Sequence, residues 1–478
     1  MHDVLIIGCG IVGAAAAYEL SKYNLSVAVV EKLTDIAGET TRANSGLIHA
    51  GFDPDPGTDM ARLNVRGSEL TREICEKLNI PYKQNGALVV GFDEDDKKTI
   101  EKLYRHGLKN NVPGLEIISG DKARTLEPRL SETVICALNA PTGAIVSPWD
   151  FATAMAETAA RNGVKFHLKA EVTSIAKIDK GYRVVTSAGE FTTKTVVNAA
   201  GLYADAVHGM YKPPDFKIIP SRGQYYLLDK SAGGTVARTI FQCPNKFGKG
   251  IMVTPTVHGN LLIGPSSEAV DNPDDVKTDA QALAHVWDTA AKAVPGLNKR
   301  DNIRNFAGVR ALSDKDDFII RETAAGFFDL AGIKSPGLTS APAIAEDLVK
   351  LLEKSGMDWI KKEKFINART VTRFRYLNGE ARAALIKKNP AFGRIVCRCE
   401  GITEGEILEA FDSPIPPTTV DAVKRRCHAG MGRCQGGFCA PRIIELIAKT
   451  NHISPLEVLK DRAGSFILTG EKGETNYV

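Results

Sequence analysis

The chain has 478 residues, enough for two or three domains, and its composition of 43% apolar and 25% charged residues is that of a globular protein. No run approaches the ~18 apolar residues that a membrane-spanning helix needs. A formal net charge of +4 is too small to imply a nucleic-acid partner. The first strand begins almost at once and leaves no room for a signal peptide, so a cytoplasmic chain is expected.

Asp3–Glu31 reads as a buried strand (Val4–Ile7), a glycine-rich turn, an alanine-rich helix and a second strand (Val27–Val30) ending in an acid. Gly8, Gly10 and Gly13 fit G-x-G-x-x-G. The first allows a tight turn, the second close approach to a pyrophosphate, and the third packing of helix on strand. The helix N-terminus adds N–H groups and a positive dipole end. Glu31, eighteen residues after Gly13, stands where a carboxylate can bind a ribose diol. The pattern implies a dinucleotide without choosing between NAD and FAD.

After Glu31 comes a polar, Gly-rich segment, long for a connection inside a domain and therefore a candidate functional loop. Thr40, Thr41, Ser45 and Gly46 are small or hydroxylated and suit close approach to a ligand, and the loop carries His49. Helices are predicted around Met60–Leu78 and Lys97–Lys109, with a strand at Gly86–Phe92 between them. Ser147-Pro148-Trp149-Asp150 reads as a helix start, with Ser as N-cap and Pro at the first position, and Asn162-Gly163 stops that helix. Val164–Gly201 has the pattern of a strand meander ending in a buried run at Gly201. Tyr225–Leu228, Ile251–Thr256 and Asn260–Ile263 continue the strands, a helix is predicted over Asp279–Ala293, and Phe327–Leu330 is a strand. A glycine-rich turn then feeds a helix with Ala341, Ile344, Leu348 and Leu351 on one face.

Residues 354–394 carry eleven Lys or Arg against three acids. This composition reads as a solvated linker; the alternative is a surface for an acidic partner or anionic lipid.

Five of the nine cysteines crowd into the segment from Cys397 to Cys439. In a reducing compartment such a cluster is a metal site rather than a disulfide framework. Cys397-x-Cys399 and Cys434-x4-Cys439 are two close thiolate pairs, with glycines that let the backbone bend around the second. Arg398, Arg425, Arg426 and Arg433 would offset thiolate charge. Spacing alone leaves Zn²⁺ and [2Fe–2S] both open. Cys427 reads as a small buried residue.

The segment VKRRCHAGMGRCQGGFC resembles the bacterioferritin-associated-ferredoxin-like [2Fe–2S] domain, a likeness that assigns Cys397, Cys399, Cys434 and Cys439 as ligands and favours iron–sulfur. Residues 1–353 resemble FAD-dependent oxidoreductases of the D-amino-acid-oxidase superfamily. The segments ANSGLIHAGFDPDPG, SRGQYYLL, GKGIMVTPTVHGNLLIGP, FAGVRAL and IKSPGLTSAPAI are similar to those of glycerol-3-phosphate oxidases and dehydrogenases. L-2-hydroxyglutarate oxidases share the NSG-x-IHAG segment.

This resemblance implies an α/β fold with a Rossmann-like FAD-binding domain (1–80, 145–210, 320–353), an inserted β-rich substrate domain (81–144, 211–319) and a small C-terminal iron–sulfur domain (395–450). The basic linker (354–394) joins them, and residues 451–478 form a C-terminal extension. Gly8, Gly10, Gly13 and Glu31 would hold the ADP half of FAD, with the Thr40–Ser45 loop along the pyrophosphate and Gly46 after it. Val172 would offer backbone groups to adenine, and Gly201 would approach the cofactor. Gly332, Gly337, Leu338 and Thr339 would close over the isoalloxazine, and a helix starting near Ser340 would aim its dipole at the flavin. The implied reaction is oxidation of sn-glycerol 3-phosphate to dihydroxyacetone phosphate. His49 would be the base, Arg310 and Lys249 the phosphate cations, and Ser335 a polar group beside flavin and substrate. A [2Fe–2S] cluster passes one electron at a time, which implies a second flavoprotein or electron-carrier subunit, or a peripheral membrane or quinone contact. A 2-hydroxy-acid dehydrogenase, an amino-acid oxidase and a non-catalytic redox relay are the competing readings.

Overall fold

The computed structural model describes residues 1–244, 250–357 and 359–470. Lys249 lies outside the described residues.

The runs Val4–Ile7, Val27–Val30 and Val196–Val197 are apolar throughout and mostly β-branched, as suits strands covered on both faces. They form the centre of an eight-stranded sheet, with His2–Ile7 parallel between Val27–Glu31 and Gly189–Asn198. Ile6 stands opposite Val29 on one side and Val197 on the other. Lys165–Leu168 continues the sheet beyond Val27–Glu31, and Phe327–Ala331 runs parallel to Gly189–Asn198. The strands Val172–Ile178 and Gly181–Thr186 add an antiparallel meander, and Ile319–Ala324 pairs antiparallel with Phe327–Ala331.

One face of this sheet is covered by the helices Ile11–Leu20, Pro148–Arg161 and Gly337–Lys354, with Asp59–Lys77 packed against the last. Ala14 to Ala17 let the helices approach closely, so that Phe151, Met155, Ile344 and Leu348 share one core with Val4 and Val29. Ser147 occupies the N-cap of Pro148–Arg161 as expected, but its hydroxyl makes no capping bond. The final helix begins at Gly337, not near Ser340, which brings its N-terminus one turn earlier in the chain.

The second sheet has nine strands. Its backbone is the long antiparallel pair Ile218–Leu228 and Asn302–Ser313, where Ser221 stands opposite Arg310. Helix Ala280–Ala293, capped by the Asp279 side chain, packs Leu283, Val286 and Trp287 onto its Leu228 and Ile263. Its other face carries Gln281, His285, Thr289 and Lys292.

The basic segment keeps Lys354, Lys361, Lys364, Lys387 and Lys388 exposed, as a solvated linker would, but three of its arginines are tied into the fold. Arg369 is buried, its Nη1 donating to Asp150 at 2.6 Å and its Nε to Glu157 at 2.8 Å. Arg373 reaches the other Asp150 oxygen at 3.2 Å, and Arg375 bonds buried Glu400 at 2.6 Å. The composition was that of a free tether; the acids that hold these three arginines come from more than 200 positions away and from the cysteine module.

That module is a two-stranded hairpin, Ile395–Cys397 with Ile402–Thr403, and the helices Glu404–Glu409, Val420–Cys427 and Ala440–Asn451. Ile407, Val423, Ile443 and Ile447 form its core. It is fastened to both sheets. Arg425 and Arg426 clasp Asp35, Lys230 bonds Glu400 at 2.8 Å, and Arg433 bonds Asp229 at 2.9 Å. The following segment folds back over residues 34–42: Thr34 donates to the Asp461 carbonyl, Arg42 pairs with Asp461, and Arg462 bonds Glu39 at 3.0 Å. Among the described residues no helix is long and apolar enough to cross a membrane.

Candidate active site and cysteine centre

A cavity of about 1110 Å³ runs from the glycine-rich turn to the second sheet. Gly8 has a φ of +97°, and a Cβ there would lie 2.6 Å from the Ala199 carbonyl oxygen. At Gly13 a Cβ would lie 2.0 Å from the Gly8 oxygen, so this glycine seats helix on strand and does not line the cavity. Gly10, Glu31, Thr40, Thr41, Ser45, Val172 and Gly201 all line it. Glu31 accepts from the backbone of Cys9 at 2.7 Å and Leu33 at 3.0 Å, while burial pushes its carboxyl above the usual value. The two threonine hydroxyls serve the protein itself. Thr41 accepts from Ile11 N–H at 2.9 Å, and Thr40 donates to the Val309 carbonyl at 2.6 Å, tying the loop to the second sheet.

At the far end His49, Arg310 and Ser335 meet the same cavity. His49 Nε2 lies 3.2 Å from Ser335 Oγ. Its backbone is held on both sides, the N–H donating to Thr339 Oγ1 at 2.9 Å and the carbonyl accepting from Asn64 at 2.8 Å. Thr339 is thus buried behind the histidine instead of lining the cavity, and Gly46 and Gly332 also stand back from it. Gly337 and Leu338 do line it, where the final helix begins. The Arg310 guanidinium donates to Ser266 O at 3.0 Å and Ser221 Oγ at 3.3 Å and pairs with no carboxylate among the described residues. It therefore brings an uncompensated charge to the cavity wall.

Sequence reasoning missed the wall opposite the histidine. Gln281, His285, Thr289 and Lys292 line the cavity, spaced along one face of Ala280–Ala293. Their helical spacing was visible, but a polar stripe on a helix ordinarily faces water. Glu268 and Asp279 also line it; Arg222 bonds Glu268 at 2.8 Å, and Gln224 bonds both acids.

In the cysteine module, four cysteines stand as two thiol pairs. Cys399 and Cys434 sulfurs are 3.6 Å apart, and Cys397 and Cys439 hydrogen-bond to each other. Gly430 N–H donates to Cys397 sulfur at 3.5 Å. The Cys439 thiol and that N–H bring the Cys397 thiol down to about 6. Backbone N–H groups led by Phe438 lower Cys434 as well. A Cβ on Gly432 would lie 2.3 Å from the Cys399 Cβ, so the loop closes on the thiols only with glycine there. Two thiol pairs, backbone donors aimed at sulfur and a cradle with no room for a side chain fit a thiolate-ligated cluster. Cys427 is apart from them; its thiol donates to Val423 O at 3.3 Å, and burial pushes it up to about 12.

The family model for FAD dependent oxidoreductases matches residues 3–351. The chain belongs to that family. A second model, the BFD-like [2Fe-2S] binding domain, matches residues 395–449. FAD and a [2Fe–2S] cluster are accordingly the cofactors of the two parts. Across family members the likeness extends beyond single motifs. A glycerol 3-phosphate dehydrogenase of Caloramator mitchellensis is 48% identical over 473 residues, 98% of either chain. A glycerol 3-phosphate oxidase of Mycoplasma genitalium is 34% identical, covering 75% of this chain and 97% of its own. The dithionite-reduced, FAD-bound L-α-glycerophosphate oxidase of Mycoplasma pneumoniae superposes with a TM-score of 0.74 at 33% identity, over 78% of this chain and 99% of that one.

Proposed function

We propose that this flavoprotein oxidises sn-glycerol 3-phosphate to dihydroxyacetone phosphate and delivers the electrons through its cysteine centre to a partner protein. The observation that carries the reading is the 48% identity to a glycerol 3-phosphate dehydrogenase that runs through both the flavin part and the cysteine module. When bound, FAD supplies a two-electron acceptor and the [2Fe–2S] group a one-electron outlet.

The chain's own residues do the rest. His49 takes the proton of the reacting hydroxyl at Nε2, with Ser335 Oγ as the polar neighbour that orients the ring. Thr339 and Asn64 fix the backbone on either side, so the imidazole is placed before substrate arrives. Arg310 binds the phosphate; its acceptors are neutral oxygens, and the guanidinium keeps its full charge for a dianion. Lys249 is assigned to the same phosphate on the family pattern. The N–H groups at the Gly337 helix start would hold the flavin when bound, supplying a positive dipole end that favours its reduced, anionic form.

Anaerobic mixing with sn-glycerol 3-phosphate should bleach the flavin faster than L-2-hydroxyglutarate or an amino acid does. Arg310→Ala should raise KM for the phosphate ester well beyond any loss of flavin content. Faster bleaching by the 2-hydroxy acid, or an unchanged KM, would overturn the assignment.

A further inference from the structure

The cysteine centre has a closed side and an open one. Cys397 and Cys439 are buried, Cys434 is partly covered, and Cys399 is exposed. Next to Cys439, on the loop that carries Cys434, stands Phe438, 83% exposed and the most exposed large apolar side chain among the described residues. An exposed phenylalanine forfeits the stabilisation that burial of its ring would bring, and the fold gains little packing from it. Such aromatic side chains at the centre of a patch are typical anchors of protein interfaces.

The surroundings are basic. Arg398 and Arg304 are exposed and pair with no carboxylate among the described residues; Arg304 instead donates to Gln435, next to Cys434, at 3.2 Å. Arg433 is 67% exposed although it reaches Asp229. Arg442, one turn after Phe438, pairs with Glu445 and shares buried Glu404 with Arg394, and both arginines stay exposed. An apolar anchor within a guanidinium rim has the layout of an interface core with a charged edge, and the charge selects and steers the partner.

We propose that this face is the docking site of an acidic one-electron carrier protein, which meets the exposed Cys399–Cys434 edge with Phe438 in its contact patch and its carboxylates on the arginine rim. The inference rests on the reading that electrons leave through the cysteine centre. Each docking event passes one electron and moves no bond or proton at the surface, so two carriers are reduced for each substrate oxidised. A lipid surface fits less well, since a single exposed phenylalanine beside the cysteines offers little to insert.

The test uses the immobilised holoenzyme and a purified acidic flavodoxin as the probe, with basic cytochrome c as the opposite-charge control. Flavodoxin should bind, and binding should weaken at least about tenfold between roughly 20 and 300 mM salt. Phe438→Ser and Arg304→Glu should each weaken it about tenfold or more, while the visible spectrum and the rate of flavin bleaching by substrate stay as in the wild type. The proposal is overturned if flavodoxin fails to bind, if cytochrome c binds as tightly, or if the variants bind like the wild type. It is also overturned if Phe438 instead drives self-association in sedimentation or retention on anionic vesicles. A cluster that substrate fails to reduce, seen by its paramagnetic signal, would sink the underlying reading alone and leave the binding result standing.

Discussion

Arg426 closes on Asp35 with both terminal nitrogens, Nη1 to Oδ2 at 3.0 Å and Nη2 to Oδ1 at 2.9 Å. One residue follows the second strand of the dinucleotide fold; the other ends the helix before the cysteine loop. Arg425 adds two more bonds to the same carboxylate. Burial opposes the charge on Asp35, but the two arginines outweigh it and hold the carboxyl below its ordinary value. Asp35→Asn leaves two buried guanidiniums short of a counter-charge and should cost about 3–5 kcal/mol. Calorimetry should show the loss in the transition that contains the cysteine module.

Arg369 poses the same problem in reverse. Arg369→Ala leaves buried Asp150 with Arg373 and buried Glu157 with the Ser413 hydroxyl, short of the charge that joined them, whereas Arg369→Lys keeps the charge but cannot reach both acids with the same geometry. The expected order of thermal stability is wild type, Lys, Ala. Limited proteolysis should cut within residues 354–394 fastest in the Ala variant.

In the flavin site, His49→Asn should lower kcat by about 10²- to 10⁴-fold with the flavin spectrum retained. Ser335→Ala should lower it less, since the hydroxyl orients the ring and accepts no proton permanently. Rapid-reaction measurement of flavin reduction separates these effects from product release.

Gly432→Ala tests the cysteine cradle. With a Cβ 2.3 Å from that of Cys399 the loop has to open, so iron content should fall sharply while flavin content is unchanged.

His258 and His428 lie with ring centroids 3.6 Å apart, beside Trp149 and on a cavity of about 280 Å³ between the cysteine module and the rest of the chain. Burial, helped by Arg375, lowers His258 to about 3, and burial lowers His428 well below its ordinary value. Both are neutral when folded and become protonated near pH 6.5 when unfolded, so the unfolded chain binds more protons below that pH. Docking should therefore weaken as pH falls from about 6.5 towards 3, by at most about 1.4 kcal/mol per unit for each histidine. Hydrogen-exchange protection at residues 420–430, taken relative to the slower intrinsic exchange in acid, should fall with acidification, and a His258→Phe, His428→Asn double variant should flatten the dependence.

The parts legible in the sequence were those whose partners lie nearby. Gly8, Gly10 and Gly13 announce strand, turn and helix within a dozen residues, and the cysteine pairs announce a thiolate centre because their spacing is local. The placement of Arg369 was illegible, since a basic run looks solvated until Asp150 and Glu157 come from the other side of the fold. Thr40 and Thr41 were assigned to ligand approach by residue type, yet their hydroxyls are engaged by Val309 and Ile11. Residue type marks a loop as polar; only the tertiary arrangement decides which groups its hydroxyls meet. His49 was singled out through family likeness, because nothing adjacent in sequence reveals Ser335 and Thr339 behind it.

A carrier module on a free tether could ferry charge by swinging between donor and acceptor. Here Arg369, Arg373 and Arg375 rivet the connecting segment down, and Asp35 anchors the far side. The distance between the two redox sites is set by architecture and does not wait on a hinge. Under the docking proposed above, the carrier travels to the enzyme, and the pace of turnover under scarce acceptor is a matter of encounter between molecules.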